Sequence, residues 1–333
     1  MKNIFNFNRK DSVCDLFEIY LQKRAREAFW APSTGKNTRT LLLHLRHFNG
    51  ALRLSQLSKE VLTEFLEYLR VSVGMEDSSA RKQFRLLTSF LHWVHLAGYV
   101  LPPDVASFKP VFKLPHKPVI FLSREELLRL YRFRIPQAGS TVQLTDMDGH
   151  IYFKTVKHPR NLERARDLFC FLALTGLRYS DMAALHRSDI VDGVLTVVTQ
   201  KTNARLQIKL NSYALAILAK YPTLPVICNQ RLNIYLKEVC ELCGFNTPVH
   251  ITLFREGRRY DVTVPKWSRI TSHCGRRTFI CLMLSIGVPP QVVMKFTGHS
   301  DYASMKPYID ISERAQTDAI ATMEAELQRC PAP

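Results

Sequence analysis

Along most of the chain, apolar residues recur at three- and four-residue spacing, and only short stretches alternate. Residues 11–28 place Val13, Leu16, Phe17, Tyr20 and Leu21 on one helical face. A second helix is predicted after Pro32-Ser33-Thr34, with Leu41, Leu42, Leu45 and Phe48 apolar. A third starts near Ser58, a capping residue, and carries Leu62, Phe65, Leu66 and Leu69. A fourth, over 78–98, turns Phe84, Leu87, Phe90, Leu91 and Val94 inward. These segments predict a small N-terminal helical bundle over 1–105.

The pattern breaks at 106–121, where Lys109-Pro110, Lys113-Leu-Pro115 and Pro118 predict an extended linker between domains. The second domain, 122–333, opens on a capping box at Ser123-Arg-Glu-Glu126. Alternation on both sides of Asp148-Gly149 predicts a hairpin over 141–156. A strongly apolar helix over 161–175 stops at Thr175-Gly176. Residues 193–210 alternate as two strands around Gln200-Lys201-Thr202-Asn203. Helices are expected near 211–220 and 230–243, a strand pair or irregular segment over 251–264, and helices again from 273. After Tyr308 the sequence reads as a terminal amphipathic helix. The fold class expected is mainly α with a small β-sheet: a four-helix N-terminal domain followed by an α+β domain.

Charge changes the picture. The 333 residues carry a formal net charge of +17, and such an excess favours a polyanionic partner. On the N-terminal bundle Lys36, Arg39, Arg81, Lys82 and Arg85 fall on polar positions and are candidates for contact with DNA. No apolar run reaches the roughly 18 residues of a membrane span, and the N-terminus lacks a secretory pattern. The cysteines sit mostly within apolar helical patterns, which suits a reducing cytoplasm. Cys240-x-x-Cys243, with Cys228 and His250 as conceivable partners, lacks zinc-finger spacing, and no metal is expected. Clustered carboxylates for divalent metal and a Walker-type phosphate loop are both missing from the sequence motifs.

Candidate chemistry lies at five places. Arg178 follows a glycine turn at the start of a helix, where a guanidinium can grip a phosphate with two hydrogen bonds. Lys201 sits on a hairpin turn, within reach of a groove. His273 and Arg276 are neighbours at i, i+3 on one helical face, while Arg277 is expected to point elsewhere and hold backbone or a carboxylate. His299 follows the helix stop Gly298. Tyr308, taken alone, is better explained by core packing.

In this order, Arg178, Lys201, His273-x-x-Arg276, Gly298-His299 and Tyr308 resemble the tyrosine recombinase (phage integrase) family. The N-terminal helices look like its SAM-like core-binding domain. Lys266-Trp267 and the Met305-Lys-Pro-Tyr308 run look most like integrases of Bacteroidota mobile elements. The resemblance implies a site-specific recombinase in which Tyr308 attacks a scissile phosphate to give a 3′-phosphotyrosine. Arg178 and Arg276 would stabilise the transition state, Lys201 would protonate the leaving oxygen, His273 would accept the phenol proton, and His299 would donate to phosphate. It implies no cofactor. The partners implied are double-stranded DNA, further copies of the chain in a tetramer on DNA, and accessory DNA-bending factors. The hairpin over 141–156 is an insertion relative to the minimal pattern. Type IB topoisomerase-like relaxation and a non-catalytic DNA-binding architectural protein are the rival readings.

Overall fold

The computed structural model describes residues 12–27, 32–115 and 118–311. The terminal segment after Ile311, read from sequence as an amphipathic helix, lies outside them. Two compact units result, one formed by the described residues up to 115 together with 251–262, the other by 118–250 and the residues from 263 on.

The first unit is helical: α1 (Val13–Arg26), α2 (Pro32–Asn49), α3 (Lys59–Arg70), α4 (Asp77–Leu96) and the short α5 (Pro103–Ser107). Helix starts follow local chemistry. Ser12 and Asp15 form a reciprocal capping box at α1, and Ser58 caps α3 by accepting from Val61 N. The core is aromatic where α1 meets α4: Phe17, Tyr20, Phe90 and Trp93 pack in edge-on, tilted and stacked pairs. Asp77 is buried and takes both Arg70 Nε (3.0 Å) and Nη2 (3.1 Å), and also accepts from Lys113 N at 3.2 Å. This fastens the stretch after α5 onto the bundle, with Phe108 and Phe112 packed against Phe84. The proline-rich segment is therefore extended but not free: its aromatic residues complete the bundle core. Residues 251–262 join this unit through a bridge from Arg255 to Glu76 and a hydrogen bond from Lys113 Nζ to Gly257 O (3.1 Å).

In the second unit α6 (Arg124–Arg132) starts at the Ser123–Glu126 capping box. β1 (Thr141–Thr145) and β2 (Ile151–Thr155) form an antiparallel hairpin, with Gln143 opposite Phe153. Its inner face is fixed to the domain by Glu241, which accepts from Tyr152 Oη at 2.8 Å and pairs with Lys154. Helix α7 (Pro159–Thr175) is the axis of the core. Leu162, Phe169, Phe171 and Leu172 are buried on different sides of it, so its near-continuous apolar run reflects a helix enclosed by others. The short α8 (Tyr179–Ala183) follows. β3 (Ile190–Val191), β4 (Val194–Val198) and β5 (Arg205–Lys209) make an antiparallel sheet that buries Leu195, Leu206 and Ile208 against the core. Next come α9 (Ser212–Ala219) and α10 (Asn229–Leu242); β6 (Pro248–Arg255) then pairs with β7 (Arg258–Pro265), and residues 251–262 of this pair belong to the first unit. The segment over 251–264 is thus a strand pair, longer than the sequence suggests. α11 (Ser272–Ser285) and α12 (Pro290–Thr297) close the unit, and residues 306–311 are again helical. Among the described residues no helix is long and apolar enough to cross a membrane.

Candidate active site

Helix α7 ends at Gly176, which has a φ of 72°. That conformation is cheap only for glycine, and a Cβ there would also lie 2.5 Å from Phe279 Cδ1. The chain turns, anchors Leu177 in the core, and presents Arg178 as the N-cap of α8. Arg178 Nη1 lies 3.8 Å from Asp181 Oδ2. Asp181 is buried and its other oxygen accepts from Gln200 N at 3.0 Å. One carboxylate thus holds the start of α8 against the β4–β5 turn. That turn is tightened by Thr199 and Thr202 Oγ1 (2.8 Å) and leaves Lys201 exposed.

The start of α11 is held by α10, with Ser272 N donating to Asn233 Oδ1 (2.8 Å) and Ser272 Oγ to Asn229 Oδ1 (2.7 Å). Gly275 lets α11 lie directly on α7. Arg276 then enters the interior and is only 2% exposed. Its Nη1 donates to Gly176 O (2.9 Å) and its Nη2 to Thr297 O (2.6 Å), so its fork is fixed by two helix-end carbonyls. Nη2 also meets His299 Nε2 at 3.1 Å. Nη2 is also 3.5 Å from Nδ1, so the guanidinium lies over the face of the imidazole ring. Nδ1 lies 2.8 Å from Thr297 Oγ1, whose hydroxyl donates to Val293 O (2.7 Å).

The backbone contacts expected of Arg277 are made by its neighbour Arg276. It is Arg276 that holds backbone, because the α7–α11 interface buries its face of the helix. Arg277 is half-buried, and its positive charge opposes the upward shift that burial gives the Tyr308 phenol. Tyr308 itself is half-buried against Phe279, Ile280 and Met305. The structure therefore brings Arg178, Lys201, His273, Arg276, His299 and Tyr308 to one place and adds Arg277. The signal that could have found Arg277 is the i, i+4 stripe His273–Arg277–Cys281.

Charge in this site is lopsided. Desolvation, then the charges of Arg277, Arg276, Arg178 and Lys201, lowers the pKa of His273 to about 4. The His273 residue keeps an exposed surface, and the four cations surround it. His299 is lowered to about 4 by burial and then by Arg276 and Arg178, and Arg276 to about 10 by burial and Arg178. Burial pushes the Tyr308 phenol up, against the pull of Arg277. Asp181 is the carboxylate that offsets this charge, and it is spent on Arg178 and the Lys201 turn. A groove of about 860 Å³ adjoins the site, lined by Thr202, Arg205, Gln207, Lys295, His299 and Ser300.

Lys36, Arg39, Arg81, Lys82 and Arg85 lie on α2 and α4 in the first unit, all exposed. Cys240 and Cys243 are buried in the α10 core, and His250 Nδ1 is paired with Thr263 Oγ1 at 2.9 Å. Among the described residues the ligand atoms that do converge are those of Asp146, Asp148 and His150, exposed at the β1–β2 turn.

The profile of the phage integrase family matches residues 153–314, and that of the phage integrase SAM-like domain matches residues 12–93. The chain belongs to the phage integrase family, whose members are the site-specific tyrosine recombinases. Among solved structures, the Tn1549 transposon integrase in complex with transposon right end DNA is similar at 14% identity and a TM-score of 0.65, covering 93% of this chain and all of that one. A lambda integrase dimer bound to a core site is similar at 16% identity and a TM-score of 0.63, covering 90% of this chain and 77% of that one. A lambda integrase tetramer bound to a Holliday junction gives 14% and 0.61, covering 89% and 80%. At these identities the likeness shows a shared fold. No curated protein matches the sequence.

Proposed function

We propose that the enzyme cleaves and rejoins DNA strands through a covalent 3′-phosphotyrosine at Tyr308, for integration or excision of a mobile element. The observation that carries this is the surplus of positive charge gathered around one phenol from well-separated segments. Such a pocket is unfavourable when empty and is relieved by a phosphodiester. The Tyr308 oxygen attacks phosphorus, and its proton passes to His273, which the neighbouring cations keep neutral and able to accept. Arg178 and Arg276 stabilise charge on the equatorial oxygens, Arg276 with a fork already fixed by two carbonyls. Lys201 gives a proton to the departing 5′-oxygen, and reversal of these steps reseals the strand. The anion also favours the protonated form of His299, which frees a ring N–H for phosphate.

Double-stranded DNA is the substrate, with Lys36, Arg39, Arg81, Lys82 and Arg85 contacting its backbone. The active form is a tetramer on DNA, supported by the lambda integrase dimer and tetramer of similar fold. It acts in the cytoplasm. The test is covalent capture on nicked duplexes drawn from the ends of the encoding element, without added metal. An SDS-resistant adduct is expected from the wild type and none from Tyr308→Phe, while Arg276→Ala should slow its formation about 10²–10³-fold. An adduct that survives Tyr308→Phe overturns the assignment. Relaxation without strand exchange would move the chain to topoisomerase-like chemistry.

A further inference from the structure

We propose that Thr297 is a positioning residue for His299: its buried hydroxyl accepts from Nδ1, fixes the ring proton there and reserves Nε2 for a phosphate oxygen. The inference rests on the proposed role of His299.

Helix α12 ends at Thr297, and Gly298 then turns the chain with a φ of 62°, a left-handed conformation that suits glycine. The turn is held by His299 N, which donates to Met294 O at 3.1 Å. It brings the His299 ring back to Thr297, with Nδ1 2.8 Å from Oγ1. Thr297 is completely buried. Its hydroxyl has one proton, and Val293 O lies 2.7 Å away, where a helical threonine bonds back to residue i−4. Thr38, Thr63 and Thr175 make the same bond at 2.8, 2.8 and 2.7 Å. With that proton spent, Oγ1 offers Nδ1 only a lone pair, and Nδ1 must carry the hydrogen. The Arg276 guanidinium covers the ring face, its Nη2 3.1 Å from Nε2 and 3.5 Å from Nδ1. One face and one edge nitrogen are thus engaged, and Nε2 is the nitrogen left to meet substrate in the ring plane.

The consequence is chemical. A neutral ring with its proton on Nδ1 presents a bare Nε2, so Nε2 takes a proton from solvent as the phosphodiester arrives. Both N–H groups of the imidazolium then have acceptors, Thr297 Oγ1 and the phosphate, and the bond to phosphate is charge-assisted. Without the hydroxyl the neutral ring reverts to the Nε2–H form that a histidine favours in water, and offers phosphate a neutral bond from an unpinned ring. The Thr297 carbonyl separately accepts from Arg276 Nη2 at 2.6 Å, a backbone contact that side-chain substitution leaves in place.

The test uses the full-length protein with nitrogen-15-labelled histidine, the His299 ring signals being identified by their loss in His299→Ala. Burial and the neighbouring arginines lower the His299 pKa to about 4, so its tautomer is read on the neutral ring at neutral pH. The wild type should show the Nδ1–H form, Thr297→Ser should keep it, and the isosteric Thr297→Val should shift to Nε2–H. In covalent capture Thr297→Val should slow adduct formation about tenfold, the difference between a charged and a neutral bond, and Thr297→Ser should restore it. Added to His299→Ala, Thr297→Val should cost nothing more. A wild-type ring in the Nε2–H form overturns the inference, as does a tautomer unmoved by Thr297→Val. An equal slowing by Thr297→Val in the His299→Ala background also overturns it, since the hydroxyl would then act on the fold alone. The expected tautomers with no adduct even from the wild type would sink the proposed reaction and leave the Thr297–His299 pairing standing.

Discussion

The α7–α11 contact sets the position of both His273 and Arg276, and Gly275→Ala perturbs it with a single methyl group. A Cβ at residue 275 would stand 2.8 Å from Leu172 Cβ, 3.2 Å from Phe169 O and 3.4 Å from Ala173 N. Against an ordinary carbon–carbon separation of about 3.5 Å, the first approach is short by roughly 0.7 Å. These atoms belong to the backbone and Cβ of a buried helix, so no side-chain rotation relieves the overlap and the helices must part. Overpacking costs about 1–3 kcal/mol, and the rigidity of these neighbours points to the upper half. Replacing glycine by alanine within a helix returns about 1 kcal/mol, leaving a net loss of about 1–2 kcal/mol. For a unit of this size that lowers Tm by about 3–6 °C. Since a 1 Å misplacement costs on the order of 10²-fold in rate, a shift of half that should slow adduct formation about tenfold. Thermal unfolding followed by circular dichroism, together with covalent capture, measures both. Gly35→Ala is the matched control: it lies in α2 with nothing within 4 Å of its Cβ, and should stabilise by about 0.5–1 kcal/mol. An unchanged or raised Tm for Gly275→Ala would refute the claim that glycine is required for this close approach.

Acidification should weaken the fold. His273 and His299 titrate near 4 in the folded chain, and near 6.5 when unfolded. Between those values the unfolded state binds more protons, so their contribution is complete above pH 6.5 and is lost as pH falls towards 4. Urea midpoints across that window should decline, and more shallowly in His299→Gln. Asp181→Ala leaves Arg178 without its partner and the Gln200 N–H without its acceptor, and should cost about 3 kcal/mol in denaturant unfolding; a loss under 1 kcal/mol would mean that water replaces it. DNA binding should weaken steeply with salt, and a single neutralisation among Arg81, Lys82 and Arg85 should reduce the log–log slope by about one. A slope unchanged by all three substitutions would remove α4 from the DNA interface.

Much of the secondary structure is legible in the sequence because its causes are local. The capping boxes at Ser123 and the cap at Ser58 mark helix starts within a few residues, and Asp148-Gly149 marks the β1–β2 turn. Less visible were α5 and the aromatic anchoring of the linker by Phe108 and Phe112, since a proline-rich stretch carries no periodicity to show which side chains find a core. The site was legible as an ordered set of residues, but each member was weak alone.

By itself the sequence determined the helices and their apolar faces, the basic charge, and which residues could carry phosphoryl chemistry. Tertiary structure decided what those residues touch. Arg276 and Arg277 are adjacent and chemically identical, and local spacing cannot say which turns inward; the approach of α7 at Gly275 does. The same is true of Asp181, which reaches a turn nineteen residues away, and of Arg276, whose partner carbonyl at Gly176 is a hundred residues back. Periodicity is a property of neighbours along the chain, whereas an active site is set by distances that exist only once the core has closed.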